Sequence, residues 1–102
     1  MYELRDKLIG LFEDISNSVS VSRIFWKLFR NSEMSISQII RQTGLNHRIV
    51  RKSLKRMIEK GIVREKSFGR TKIYFLNRDD PSIRMLFKLL DMPPPSLFSE
   101  NE

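Results

Sequence analysis

The sequence predicts a mainly α-helical fold with one small β-hairpin and an extra helix at each end. Three observations predict it. Apolar residues recur at helical spacing in five stretches. Cap-forming residues and glycines punctuate those stretches. Residues rich in strand formers occur together between positions 62 and 76.

The stretch NHRIVRKSLKRMIEKG, residues 46–61, organises the rest. Asn46 is a good N-cap, its side chain able to accept a bond from a free backbone N–H. Gly61 takes the left-handed conformation that closes a helix at least cost. Between them Ile49, Val50, Leu54, Met57 and Ile58 fall on one side, and Arg48, Arg51, Lys52, Lys55 and Arg56 on or near the other. Residues 35–43 predict a shorter helix. Ser35 and Gln38 fit a capping box, and Ile36, Ile39 and Ile40 supply its apolar face. Gly44 breaks that helix, and Leu45 is placed to plug the angle between the two. The expectation is a helix-turn-helix with a basic second helix.

The run SISQIIRQTGLNHRIVRKSLKRMIEKGIVRE followed by GRTKIYFLN carries a family likeness. It lies in the turn Thr43-Gly44-Leu45-Asn46, the exit Glu59-Lys60-Gly61-Ile62-Val63 and the returning strand Gly69-Arg70-Thr71-Lys72-Ile73-Tyr74. On these residues the chain resembles bacterial and archaeal winged helix-turn-helix transcriptional regulators of the MarR/ArsR-like type. The likeness covers roughly residues 20–77. It implies a recognition helix at 46–60, a wing at 62–76 and DNA binding. Many ArsR-like members sense metals through cysteine clusters. This chain has no cysteine and one histidine, so that mechanism, disulfides and thiolate catalysis are all unavailable to it.

At 102 residues the chain is expected to form one domain, residues 1–92, with a tail at 93–102. Hydrophobic residues at 40% and charged residues at 30% mark a globular chain. No apolar run nears the roughly 18 residues needed to span a membrane, and no signal peptide opens the sequence. A soluble, cytoplasmic, nucleoid-associated protein is expected. The net charge of +7 is unevenly spread. Residues 41–72 hold eleven Lys/Arg and two Asp/Glu, whereas the remainder holds eight and ten. All the excess positive charge therefore coincides with the basic helix and hairpin, as a phosphate-binding surface requires. A basic solvated helix without function is the bland alternative.

Residues 2–15 predict an amphipathic helix with Leu4, Leu8, Leu11, Phe12 and Ile15 on one face. It serves either as one more core element or as a dimerisation arm. Residues 16–20 are the expected break, and residues 21–31 the first core helix, with Val21, Ile24, Phe25, Leu28 and Phe29 inward. Two placements are open to Trp26, the core edge or a subunit interface, where tryptophan is enriched. The turn at 31–34 is expected to put one or two residues beside the hairpin. Strands are predicted at 62–66 and 71–76, joined by Ser67-Phe68-Gly69-Arg70. Phe68 has no evident core to enter, and either folds back on the hairpin or presses on DNA or a neighbour. Asp80-Pro81 caps and starts a last helix, 81–91, with Ile83, Leu86, Phe87 and Leu90 in its seam. Met92-Pro93-Pro94-Pro95 ends it, and Leu97 and Phe98 hint that the tail docks.

In helix-turn-helix docking the N-terminal half of the second helix meets base edges. Asn46, His47, Arg48, Arg51 and Lys52 are therefore the candidate base readers, with Arg48 and Arg51 foremost because arginine bonds guanine bidentately. His47 also reads as a plain exposed turn residue. Lys55 and Arg56 are assigned to phosphates. Ser37, Gln38 and Arg41 are placed for the sugar-phosphate backbone, and Lys66, Arg70 and Lys72 for phosphates or the flanking minor groove. Dimerisation is assigned to Leu4, Leu8, Leu11, Phe12, Ile83, Leu86, Phe87 and Leu90. No phosphate loop, nucleophile–histidine pair or metal spacing appears, so no enzyme, metal or cofactor is expected. The expected function is a sequence-specific, homodimeric repressor of double-stranded DNA, its effector unknown. The alternatives are a winged-helix protein–protein module and a nonspecific DNA- or RNA-binding protein.

Overall fold

The computed structural model describes residues 2–90. Its elements are α1 (Tyr2–Ser16), α2 (Val19–Asn31), β1 (Met34–Ser35), α3 (Ile36–Thr43), α4 (His47–Glu59), β2 (Val63–Phe68), β3 (Thr71–Leu76) and α5 (Pro81–Leu90). The expected helix end at Met92–Pro95 and the tail with Leu97 and Phe98 lie outside the described residues.

The core is centred on α2. Ile24 and Phe25 are fully buried and Leu28 nearly so, against Ile39 of α3 and Val50, Leu54 and Met57 of α4. The break before α2 is shorter than expected. Ser18 caps the helix by accepting the Val21 N–H, which starts α2 at Val19 rather than at residue 21. Trp26 lies at the core edge, half-buried, with its ring edge-on to Phe25 at 5.0 Å and Phe29 at 5.5 Å.

Three antiparallel strands run in the order β1-β3-β2. Met34 faces Tyr74 and Ser35 faces Ile73, so the expected short strand beside the hairpin is present. The hairpin itself is tighter than its predicted four-residue turn. Phe68 pairs with Thr71, leaving Gly69-Arg70 as the loop. Gly69 has φ 60°, the positive value that the first position of a two-residue hairpin turn favours. β2 accordingly extends to Phe68, and Ile62 drops out of the strand to close α4.

α1 and α5 pack on each other. Asp80 accepts the Ser82 N–H at 2.9 Å and Pro81 is the first residue of α5, as expected. Leu11, Ile83 and Leu86 are 5%, 0% and 1% exposed. These three residues, assigned to dimerisation, thus sit in the chain's own core, because α1 and α5 cover α2 and each other in so short a chain. Leu4, Leu8 and Phe87 are half-buried, while Phe12 and Leu90 are exposed. The Phe87 ring stacks on Phe29 at 4.4 Å, under the Arg78 guanidinium.

Candidate nucleic-acid interface

The helix-turn-helix is built by caps read directly from its sequence. Ser35 Oγ accepts the Gln38 N–H at 3.3 Å and Gln38 Oε1 accepts the Ser35 N–H at 2.8 Å, completing the capping box. Gly44, at φ 76°, donates its N–H to the Ile40 carbonyl and turns the chain. Thr43 locks the corner, donating its hydroxyl to the Ile39 carbonyl and accepting the Leu45 N–H. Leu45 is half-buried in the angle, as expected.

At the head of α4, Asn46 Oδ1 accepts the Ile49 N–H. At its foot the Ile62 N–H bonds to the Met57 carbonyl and the Gly61 N–H to that of Ile58, a Schellman closure with Gly61 at φ 76°. The helix is therefore fixed at both ends, and its outer face is presented as a rigid surface.

That face carries His47, Arg48, Arg51, Lys52, Lys55 and Arg56, all exposed. Ser37, Gln38 and Arg41 are exposed on α3. Ile49, expected on the inward side, is 39% exposed and borders a groove with Ser18, Ser20, Lys52 and Arg56. Its inward place is taken by Ser53, whose hydroxyl shares a 2.9 Å bond with Ser20 of α2. Serine has no helical-periodicity signal, which is why the sequence does not reveal this contact.

The hairpin divides the predicted wing residues. Along β2 and β3, alternate residues point to opposite faces, so Lys66 and Lys72 face opposite ways. Lys72 lies on the α4 side, in a gap lined also by Arg51, Lys55, Glu65 and Tyr74. Arg70 is exposed in the loop. Lys66 lies on the other face, paired with Glu33 and with its ammonium over the rings of Phe68 and Phe75. The structure thus does not bring Lys66 together with the α4 cations. Phe68 stays 60% exposed.

Ion pairing sorts the cations. Lys60, Arg64, Lys66 and Lys72 each have a carboxylate within 4.0 Å, on Asp14, Asp79, Glu33 and Glu65. Among the described residues, none of Arg41, Arg48, Arg51, Lys52, Lys55, Arg56 and Arg70 has one. Within the basic stretch 41–72, the positive charge left unpaired is that of the helix-turn-helix face and the hairpin loop. Burial and then Glu65 push the Tyr74 hydroxyl above its ordinary value, and Arg51 pulls it back. No group of three or more His, Cys, Asp or Glu placed to hold a metal occurs among the described residues, and no helix there is long and apolar enough to cross a membrane.

No family model matches the sequence, and neither does any curated protein. Solved structures do match in three dimensions. The antimony-specific transcriptional repressor AntR superposes with a TM-score of 0.65 at 20% identity, over 96% of this chain and 84% of that one. The homodimeric winged helix-turn-helix DNA-binding domain Mb0332 from Mycobacterium bovis, a possible ArsR-family regulator, gives 0.60 at 16% identity, over 96% and 92%. This chain has the winged helix-turn-helix fold. The plasmid segregation protein TubR, in a mutant form, matches it too, at 0.65 and 18% identity over 84% of this chain and 94% of that one. In this winged-helix frame α3 and α4 are the helix-turn-helix, α4 is its second helix and β2–β3 the wing.

Proposed function

We propose that this winged-helix chain is a double-stranded DNA-binding transcriptional regulator that works as a homodimer. The observation that carries the reading is the sorting of charges: the cations of α4 and the wing loop are unpaired, while those elsewhere on α4's exit and the wing are neutralised. Like charges at i and i+4, such as Arg48 with Lys52 and Lys52 with Arg56, cost a helix stability. A surface that retains them uncompensated is suited to a polyanion. The exposed apolar residues Ile9 and Phe12 of α1 and Leu89 and Leu90 of α5 support the dimer, since α1 and α5 adjoin and large apolar patches mark interfaces.

In this reading two recognition helices enter successive major grooves, about 34 Å apart, on an imperfect palindrome. Arg48, Arg51 and Lys52 meet base edges, with His47 and Asn46 at the helix head. Lys55, Arg56, Arg41, Ser37 and Gln38 seat the backbone, and Arg70 and Lys72 hold the flank. Repression follows from occupying the site against the transcription machinery. The reading is supported by the resemblance to regulators of the MarR/ArsR-like type and by the likeness in fold to AntR, a transcriptional repressor, and to Mb0332, a homodimeric DNA-binding domain.

Titrating genomic and random duplexes at two salt concentrations tests it. A dimer neutralising about eight phosphates gives log affinity a slope near −7 against log salt, with some fragments preferred at fixed salt. A flat slope contradicts DNA binding and turns the basic face toward a protein partner. A steep slope without preference contradicts sequence-specific regulation.

A further inference from the structure

When α4 lies in a major groove and the wing loop at the adjoining minor groove, one phosphate strand must cross the gap between the two elements. That gap has the buried Leu54 and Tyr74 at its floor, and Arg51, Lys55, Lys72 and two carboxylates, Glu59 by α4's end and Glu65 on β2, around it. A carboxylate is out of place beneath a phosphate strand. Glutamate is also a poor strand former, yet Glu65 occupies the third position of β2, directly opposite Tyr74. Its pairing with Lys72 is long, 3.9 Å, and both side chains are exposed, so it adds little to stability.

We propose that Glu65 is a positioning residue for Arg51, a role that rests on the DNA-binding reading. In the free protein Glu65 lies beside Lys72 and the Tyr74 hydroxyl, and Arg51 makes no ion pair among the described residues. The two nonetheless share the gap, and their opposite charges both bear on the Tyr74 hydroxyl. Seating a phosphate strand gives Lys72 a stronger anionic partner and releases the carboxylate. Glu65 then takes one edge of the Arg51 guanidinium. Arginine presents five donors in a fixed fork, so the other edge remains to bond guanine O6 and N7. Backbone seating and base reading are thereby coupled, and an unoriented Arg51 is kept from gripping arbitrary phosphates.

The test measures discrimination, the ratio of affinities for a duplex selected by the wild-type protein and for the same duplex with single guanines replaced. Wild type, Glu65→Gln, Arg51→Lys and the double variant are compared at one salt concentration. Because each ratio is taken on one protein, a change in folding stability cancels. Glu65→Gln is expected to lower discrimination about tenfold at one guanine position, a typical share of a bidentate contact. In the Arg51→Lys background the second substitution is expected to change nothing further, as coupled residues require. Should Glu65→Gln fold poorly, Glu65→Thr, a better strand former, replaces it. Unchanged discrimination in Glu65→Gln, or fully additive effects, would overturn the proposal while leaving the DNA-binding reading intact. A wild-type protein that selects no duplex would fail that reading itself and this inference with it.

Discussion

The side chain of Asn46 is spent on its own helix: Oδ1 accepts the Ile49 N–H at 2.9 Å. Capping and DNA contact can therefore be separated at one residue. Asn46→Ala removes the acceptor and is expected to cost about 1 kcal/mol in urea denaturation. Asn46→Asp keeps the acceptor and adds a charge favoured at a helix N-terminus, so stability is retained. The same charge facing phosphates is expected to weaken duplex binding. Loss of stability without loss of binding in Asn46→Asp would place Asn46 away from the DNA.

The unpaired cations of α4 imply a trade between stability and binding. Lys52 has Arg48 and Arg56 at four residues and Lys55 at three. Lys52→Glu converts three repulsions into attractions and is expected to stabilise the fold by about 1 kcal/mol at low salt. That gain should shrink as salt screens it, while duplex affinity falls sharply. Equal or lower stability would mean that the helix tolerates its charge without cost.

Dimerisation is tested at exposed positions only, since Leu11, Ile83 and Leu86 are core residues whose loss would unfold the protomer. Phe12 is 44% and Leu90 56% exposed. Phe12→Glu combined with Leu90→Glu is expected to give a folded monomer by sedimentation, with cooperative melting retained. A dimer that survives both changes would place the interface elsewhere.

Tyr74 makes stability depend on alkaline pH. Its hydroxyl is held above the ordinary 10.0, first by burial and then by Glu65. As pH rises past 10 the unfolded chain releases this proton while the folded chain keeps it, so the folded state binds more protons and stability falls. Tyr74→Phe is expected to lessen that decline above pH 10 in urea titrations. An identical decline in both proteins would assign it to other groups.

Most of the helical fold was legible because its signals are local. Capping at Ser35, Asn46 and Asp80 and closure at Gly44 and Gly61 depend on residues within four positions of each other. What escaped depends on distant partners. Whether Leu11 faces its own core or a second chain is decided by where α5 lies, which no helical period encodes. Lys66 and Lys72 look equivalent in composition, but strand alternation and Glu33 turn Lys66 away from α4. α2 starts earlier than expected because Ser18, one of four serines at alternate positions from 16 to 22, is the cap. In the sequence Glu65 is only one of two acids among residues 41–72, and it comes to the same gap as the α4 cations only where the hairpin folds beside α4.

The most direct measurement is the affinity of Arg48→Ala/Arg51→Ala for a duplex selected by the wild-type protein, compared with a random duplex at the same salt. The double variant is expected to stay folded, to lose its preference for the selected duplex and to keep most of its weak, salt-sensitive binding. A preference undiminished in the double variant would contradict α4 as the base-reading element.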